Sequence, residues 1–294
     1  MKYVDAEQVK KRMNGRIIKN TIFKSSFLIA TLFGLVVLTI LIYRVFADGI
    51  SWINWDFISG KLSTDANRAG IMGAILGTFW VMAVVAPVTM IIGIGTAIYL
   101  ELYAKKGRLQ AFIQTNIANL AGVPSIVYGI LGLTIFVRAM DFGNIVLAGG
   151  FTLSLLVLPI VIVAAQEAIR SVPSHLSEAS YGMGATKWQT IKNIILPAAL
   201  PGILTGAILA LSRAIGETAP LTVIGIPALL IPFPGGIWDK FTALPMQIYY
   251  WTLDSSLVEE YANLAAATIV VLLLLLFLLN SAAIIIRNKF QHRF

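Results

Sequence analysis

The sequence predicts an all-α membrane protein with six transmembrane helices and both termini in the cytoplasm. Three observations carry that expectation. Of 294 residues, 58% are apolar and only 12% are charged, about half the charge of an ordinary soluble chain. Six stretches are apolar over the roughly 20 residues needed to cross ~30 Å of hydrocarbon. The basic residues are sorted between alternate loops. The short alternating segments of a β-barrel do not occur.

The first span is 27–46, with Arg44 as its single charge. Val45, Phe46 and Ala47 after it have the spacing of a signal-peptidase site. The apolar run is longer than the ~7–15 residues of a signal-peptide core, so a retained anchor is expected. Span two, 71–100, carries no charge and is long enough to tilt. Span three, 109–137, is also uncharged but holds Asn116, Asn119 and Pro124. A break is expected over 121–125, facing protein or water, because lipid offers the freed backbone groups no partner. Span four, 145–166, is interrupted only by Pro159, span five, 198–226, contains Arg213 and Glu217, and span six, 261–286, centres on the apolar run 270–279.

Segment 1–24, the loops 101–112 and 167–197, and the C-terminal tail together hold sixteen Lys and Arg; the opposite loops hold four. Such a bias places the richer set in the cytoplasm. The net charge of +8 is therefore a topology signal, with anionic lipid as its contact; nucleic acid is not implied. Segment 1–24 is expected to be a basic cytoplasmic tail lying on the membrane surface, and 291–294 a short C-terminal tail.

Catalytic chemistry is largely excluded. Without Cys there is no disulfide, thiol nucleophile or thiolate metal site. No G-x-x-x-x-G-K-[ST] loop is present to cradle nucleotide phosphates. His175 and His292 are far apart and outside any H-E-x-x-H pattern, and no G-x-S-x-G elbow occurs. No catalytic residue, cofactor or metal site is expected in this chain. Work against a gradient would draw its energy from a partner or an ion.

Gly73-x-x-x-Gly77 and Gly202-x-x-x-Gly206 allow close helix contact. Segment 226–245, with Pro227, Pro232, Pro234 and Pro245, cannot be one helix. It reads as an external loop: a gate, a docking surface or a stiff connector. Trp238, Phe241, Tyr249, Tyr250 and Trp251 suit an interfacial aromatic belt.

Two features rise above this background. The loop 167–197 reads as two short helices, 176–181 and 187–195, with Gly182 and Gly184 supplying the turn and Pro197 starting the next span. Within it, Glu178, Ala179, Ser180 and Gly184 are followed after nine residues by Ile194, Leu196 and Pro197. This frame resembles the E-A-A-x-x-x-G, nine residues, I-x-L-P signature of binding-protein-dependent ABC importer permeases, departing only where Ser180 replaces Ala. The resemblance implies a type I ABC importer permease fold over 25–290, with these residues forming the loop that docks on an ATPase subunit.

The second feature is Arg213 and Glu217. Charges inside a span are costly and usually face a cavity or a partner, and a separation of four puts both on one helix face. Arg213 lies about fifteen residues past Pro197, or ~23 Å along the axis, in the middle or outer half of the membrane. The pair is either a self-neutralising packing device or an anion path, since the planar guanidinium donates two parallel hydrogen bonds to an oxyanion.

Segments 119–129, 213–220 and 239–245 together resemble the PstA-type phosphate branch of the same family. That resemblance implies Arg213 and Glu217 in the substrate path. It implies a sister permease (PstC-like), two copies of an ATPase (PstB-like) carrying ATP and Mg, and an extracellular phosphate receptor (PstS-like). The residues themselves leave other oxyanions open: sulfate, molybdate or a phosphonate. An ion-coupled secondary transporter would want more intramembrane acids or an inverted repeat, and a scaffold or sensor leaves the loop spacing unexplained.

Overall fold

The computed structural model describes residues 6–227 and 233–289; the start of segment 1–24, Pro232, and the tail 291–294 with His292 lie outside them. The chain divides into two compact units, Met1–Asp48 and Gly49–Phe294. The first is built on one helix, α1 (Ala6–Gly49). Its 44 residues span ~66 Å, about twice the hydrocarbon thickness. The described part of the basic segment is thus the start of the first span's own helix. Its apolar side chains, among them Phe27, Phe33 and Leu41, are exposed, as a lipid-facing helix requires.

The second unit contains α2 (Trp55–Ser59), α3 (Met72–Ile98), α4 (Arg108–Leu120), α5 (Ser125–Gly132), α6 (Val146–Arg170), α7 (Ser174–Gly182), α8 (Lys187–Thr190), α9 (Leu196–Gly216), α10 (Ala219–Ile224), α11 (Leu244–Asp254) and α12 (Glu260–Lys289). Wider π-helical turns extend α3 over Tyr99–Tyr103, extend α5 over Leu133–Ala139, and join α8 to α9 over Ile191–Ile195. Among the described residues β structure is confined to one isolated antiparallel bridge, Ile145 to Lys240.

Five helical stretches are long and apolar enough to cross a membrane: Arg16–Trp52, Met72–Tyr103, Val146–Arg170, Lys187–Gly216 and Glu260–Lys289. The remaining expected span, span three, falls on the α4–α5 pair, bent by 102°. The break falls where Pro124 removes a donor. Turn bonds from Gly122 N to Asn119 O (3.0 Å) and Val123 N to Leu120 O (3.1 Å) close the end of α4. Tyr128 reaches back across the bend to donate to Leu120 O at 2.8 Å, so a carbonyl freed by the break keeps a partner.

α6 lies at the centre, packed on α3 and α9. A Cβ on Gly202 or Gly206 would come within 2.8 or 2.2 Å of the Cβ of Ala168 or Ala164. That small-residue pattern therefore serves contact inside the chain.

Within segment 226–245, the stretch from Phe241 onward is core rather than exposed connector. Phe241, Thr242, Ala243 and Leu244 are buried and continue into buried Met246. The extended strip is held by Val146 N to Asp239 O and Leu147 N to Ile237 O, both 3.0 Å, and by Leu244 N to Thr78 Oγ1 at 3.0 Å. Gly77 and Gly149 make the room: a Cβ on them would collide with Thr242 O at 1.9 Å and Phe241 Cζ at 2.5 Å. Of the five aromatic residues assigned to an interfacial belt, Phe241 and Trp251 are buried core instead, while Trp238 and Tyr249 are exposed.

Candidate functional site

α9 ends at Gly216, and Glu217 follows in extended conformation (φ −78°, ψ 123°). The two charges therefore do not share a helix, as their spacing suggested; Glu217 lies on a break between α9 and α10. They meet all the same. Arg213 Nε donates to Glu217 Oε1 at 3.1 Å, with the Arg213 side chain 46% exposed and that of Glu217 only 17%. Ala214 and Ile215 beside them are buried.

The depth of Arg213 follows from the register of α9 on α12. Ser212 Oγ meets Asn280 Oδ1 at 2.7 Å, and Arg287 Nη1 donates to Thr205 Oγ1 at 3.3 Å. The two helices are antiparallel, and Arg213 is level with about residue 279, roughly 15 Å inside the end of α12 at 1.5 Å per residue. Pro197 does not start the helix; the helical rod begins at Lys187, and its first turns run past the level of Lys289.

The three segments singled out in the sequence come together here. Gly129 packs so closely on α10 that a Cβ would lie 2.9 Å from Pro220 Cα. Tyr128, Ala214, Leu221, Phe241 and Ala243 share one apolar cluster.

In the loop 167–197, α7 and α8 form the expected pair, but the second continues unbroken into α9. Its π turn ends at Ile195, two residues before Pro197, whose missing N–H cannot close an ordinary α bond. Of the two candidate turn glycines only Gly184 needs its freedom, at φ +84°; Gly182 belongs to α7. Glu178, Ala179 and Gly184 are exposed, whereas Ile194, Leu196 and Pro197 are half-buried. The signature thus combines a presented half with an anchoring half. Ser180 Oγ lies 2.9 Å from Thr190 Oγ1, tying the two helices together. Thr186 and Gln189 form a capping box at the start of α8, a T-x-x-Q signal legible in the sequence but passed over. At φ +84° an L side chain costs about 1–2 kcal/mol. Gly184→Ala is expected to loosen this turn by that amount, read as faster limited proteolysis between α7 and α8 with the rest of the chain unaffected.

Sequence reasoning also missed Glu101, which lies one residue past the uncharged second span. Arg170 donates to it through Nε (2.9 Å, to Oε2) and Nη2 (2.6 Å, to Oε1), and Gln166 through Nε2 at 2.9 Å.

A family model described as "Binding-protein-dependent transport system inner membrane component" matches residues 89–292. The chain belongs to that family. It is a multi-pass inner-membrane protein, an ABC importer permease. The probable ABC transporter permease protein YqgI of Bacillus subtilis is 36% identical over 177 residues, 60% of either chain. The phosphate transport system permease protein PstA 1 of Mycobacterium tuberculosis is 34% identical over 213 residues, covering 71% of this chain and 70% of the relative. PstA of Haemophilus influenzae is 30% identical over 241 residues, covering 81% and 82%. Among solved structures, the inward-facing MetNI methionine ABC transporter superposes with TM-score 0.60 at 20% identity, over 76% of this chain and 96% of that one. A bacterial alginate ABC transporter gives 0.61 at 14% identity over 91% and 94%. These structures fix the fold, and proteins of that fold carry chemically unlike solutes.

Proposed function

We propose that this chain is the transmembrane permease subunit of an ATP-driven importer for inorganic phosphate, with Arg213 and Glu217 in the translocation path. The exposure of Arg213 carries the reading. A guanidinium roughly 15 Å inside the end of α12 cannot be left facing lipid without large cost, and among the described residues Glu217 is the one counter-charge that meets it. The remaining donors face outward, to a protein surface or a water-filled path. A sister permease, PstC-like, fits that place, and an oxyanion in the path fits the donors: two parallel N–H bonds from a planar fork match a phosphate edge. Glu217 orients the guanidinium and limits how tightly the anion is held. The PstA relatives support phosphate over sulfate, molybdate or a phosphonate.

Two PstB-like ATPase subunits, holding ATP and Mg, engage α7 and α8 through Glu178, Ala179, Ser180 and Gly184, while Ile194, Leu196 and Pro197 seat the loop on the bundle. A PstS-like receptor delivers phosphate from outside. The termini and the loop 167–197 are cytoplasmic. Alternating access follows when ATP-driven closure of the ATPases displaces the loop.

Vesicles containing the complex purified from its native membrane test this. Labelled phosphate should accumulate only with ATP and receptor, should persist when ion gradients are collapsed, and should resist competition by sulfate and molybdate. Uptake that follows an ion gradient sinks the ATP coupling; equal competition by sulfate sinks the assignment of phosphate.

A further inference from the structure

Four donor atoms converge on the Glu101 carboxylate. Besides the bidentate fork of Arg170 and the amide of Gln166, Gln114 Nε2 lies 3.4 Å from Oε1. The Glu101 side chain is 12% exposed, against 47% for Arg170, which also pairs with Glu167 at 2.9 Å. A carboxylate this buried is tolerated because its lone pairs are met. The donors come from two different helices, Gln114 from α4 and Gln166 and Arg170 from α6, while Glu101 itself stands on the π turn that ends the α3 rod.

The position of the clamp matters more than its strength. Arg170 is the last residue of α6, and α7 begins at Ser174, after Pro173. Displacement of α7 therefore pulls directly on the fork. On the other side, Gln114 lies on α4, which joins α5 through the 102° bend, and α5 packs through Gly129 on α10, immediately after Glu217. We propose that Glu101 is a positioning residue that fastens the ends of α3 and α6 to the middle of α4, so that movement of α7 reaches the Arg213–Glu217 pair. This rests on the ATP-coupled reading above. A fork-to-fork pair fixes relative orientation as well as distance; an amide at 101 would set an NH2 against the guanidinium and lose that geometry at almost constant volume.

Glu101→Gln is the informative variant. It strands no buried charge, because Arg170 is half solvated and keeps Glu167, so the complex is expected to assemble in normal yield. In vesicles supplied with receptor, labelled phosphate and ATP, the quantity read is phosphate moved per ATP hydrolysed. Wild-type complex without ATP-dependent uptake would overturn the proposed function itself. Given a coupled wild type, Glu101→Gln should lower the ratio roughly two- to thirtyfold, the range for residues inside a coupling network, while hydrolysis continues. Glu101→Asp, which keeps the charge, should retain more of the ratio. An unchanged ratio in Glu101→Gln, a parallel loss of assembly, hydrolysis and uptake, or a larger drop for Asp than for Gln would each overturn the positioning role.

Discussion

Arg213→Ala is expected to reduce phosphate uptake about 10- to 100-fold while the complex still assembles. The magnitude is that of losing a charge-assisted, two-pronged hydrogen bond to an anion, about 1.5–3 kcal/mol. Assembly should survive because the Arg213 side chain is 46% exposed and, among the described residues, is held through Glu217 alone. Removing the guanidinium leaves Glu217 half-buried and unmatched, which adds a structural cost of its own. The double variant Arg213→Ala with Glu217→Gln removes that burden and isolates the transport effect. Arg213→Lys keeps the charge but not the planar fork, so its uptake should fall between wild type and Ala. Initial rates of labelled phosphate uptake, normalised to complex recovered from the membrane, decide the matter. Wild-type rates in the double variant would leave the pair a packing device.

The second large effect is structural. Gly77→Val should remove most folded protein from the membrane. The Cβ would stand 1.9 Å from the carbonyl oxygen of Thr242, a backbone atom on a strip anchored at both ends. Neither side can retreat cheaply, so the cost sits at or above the usual ~1–3 kcal/mol of overpacking. Gly95→Ala is the matched control on the same helix, since nothing lies within 4 Å of its added Cβ. Thermal unfolding of the detergent-solubilised protein should drop sharply for the first and stay unchanged for the second.

The elements read most easily from residues alone were those set by local chemistry. Apolar run length marked the spans, Pro124 marked the break, and the loop frame at Glu178–Pro197 sat where two helices and a left-handed glycine were later found. What stayed hidden depends on pairs distant along the chain. Segment 226–245 reads as an external loop because its prolines forbid one helix; the burial of Phe241–Leu244 follows from Gly77 and Gly149, on two different helices, clearing a slot for it. Glu101 looked like one more loop charge, because its partners Gln166 and Arg170 lie some seventy residues away. Pro197 reads as a helix start for a related reason, whereas the helical run already begins at Lys187. For the pair itself, the residues were legible but their geometry was not, since Gly216 ends the helix one position before Glu217.

The unbroken run from Lys187 to Gly216 has a mechanical corollary. Lys187 and Arg213 are the near and far points of one stiff arm ~39 Å long at 1.5 Å per residue. Tipping that arm by about 5° swings its far point by roughly 3 Å, the length of one hydrogen bond. On the proposed reading, a modest push on the Lys187 end is therefore large enough, without any bending along the way, to make or break a hydrogen bond between Arg213 and an anion in the path.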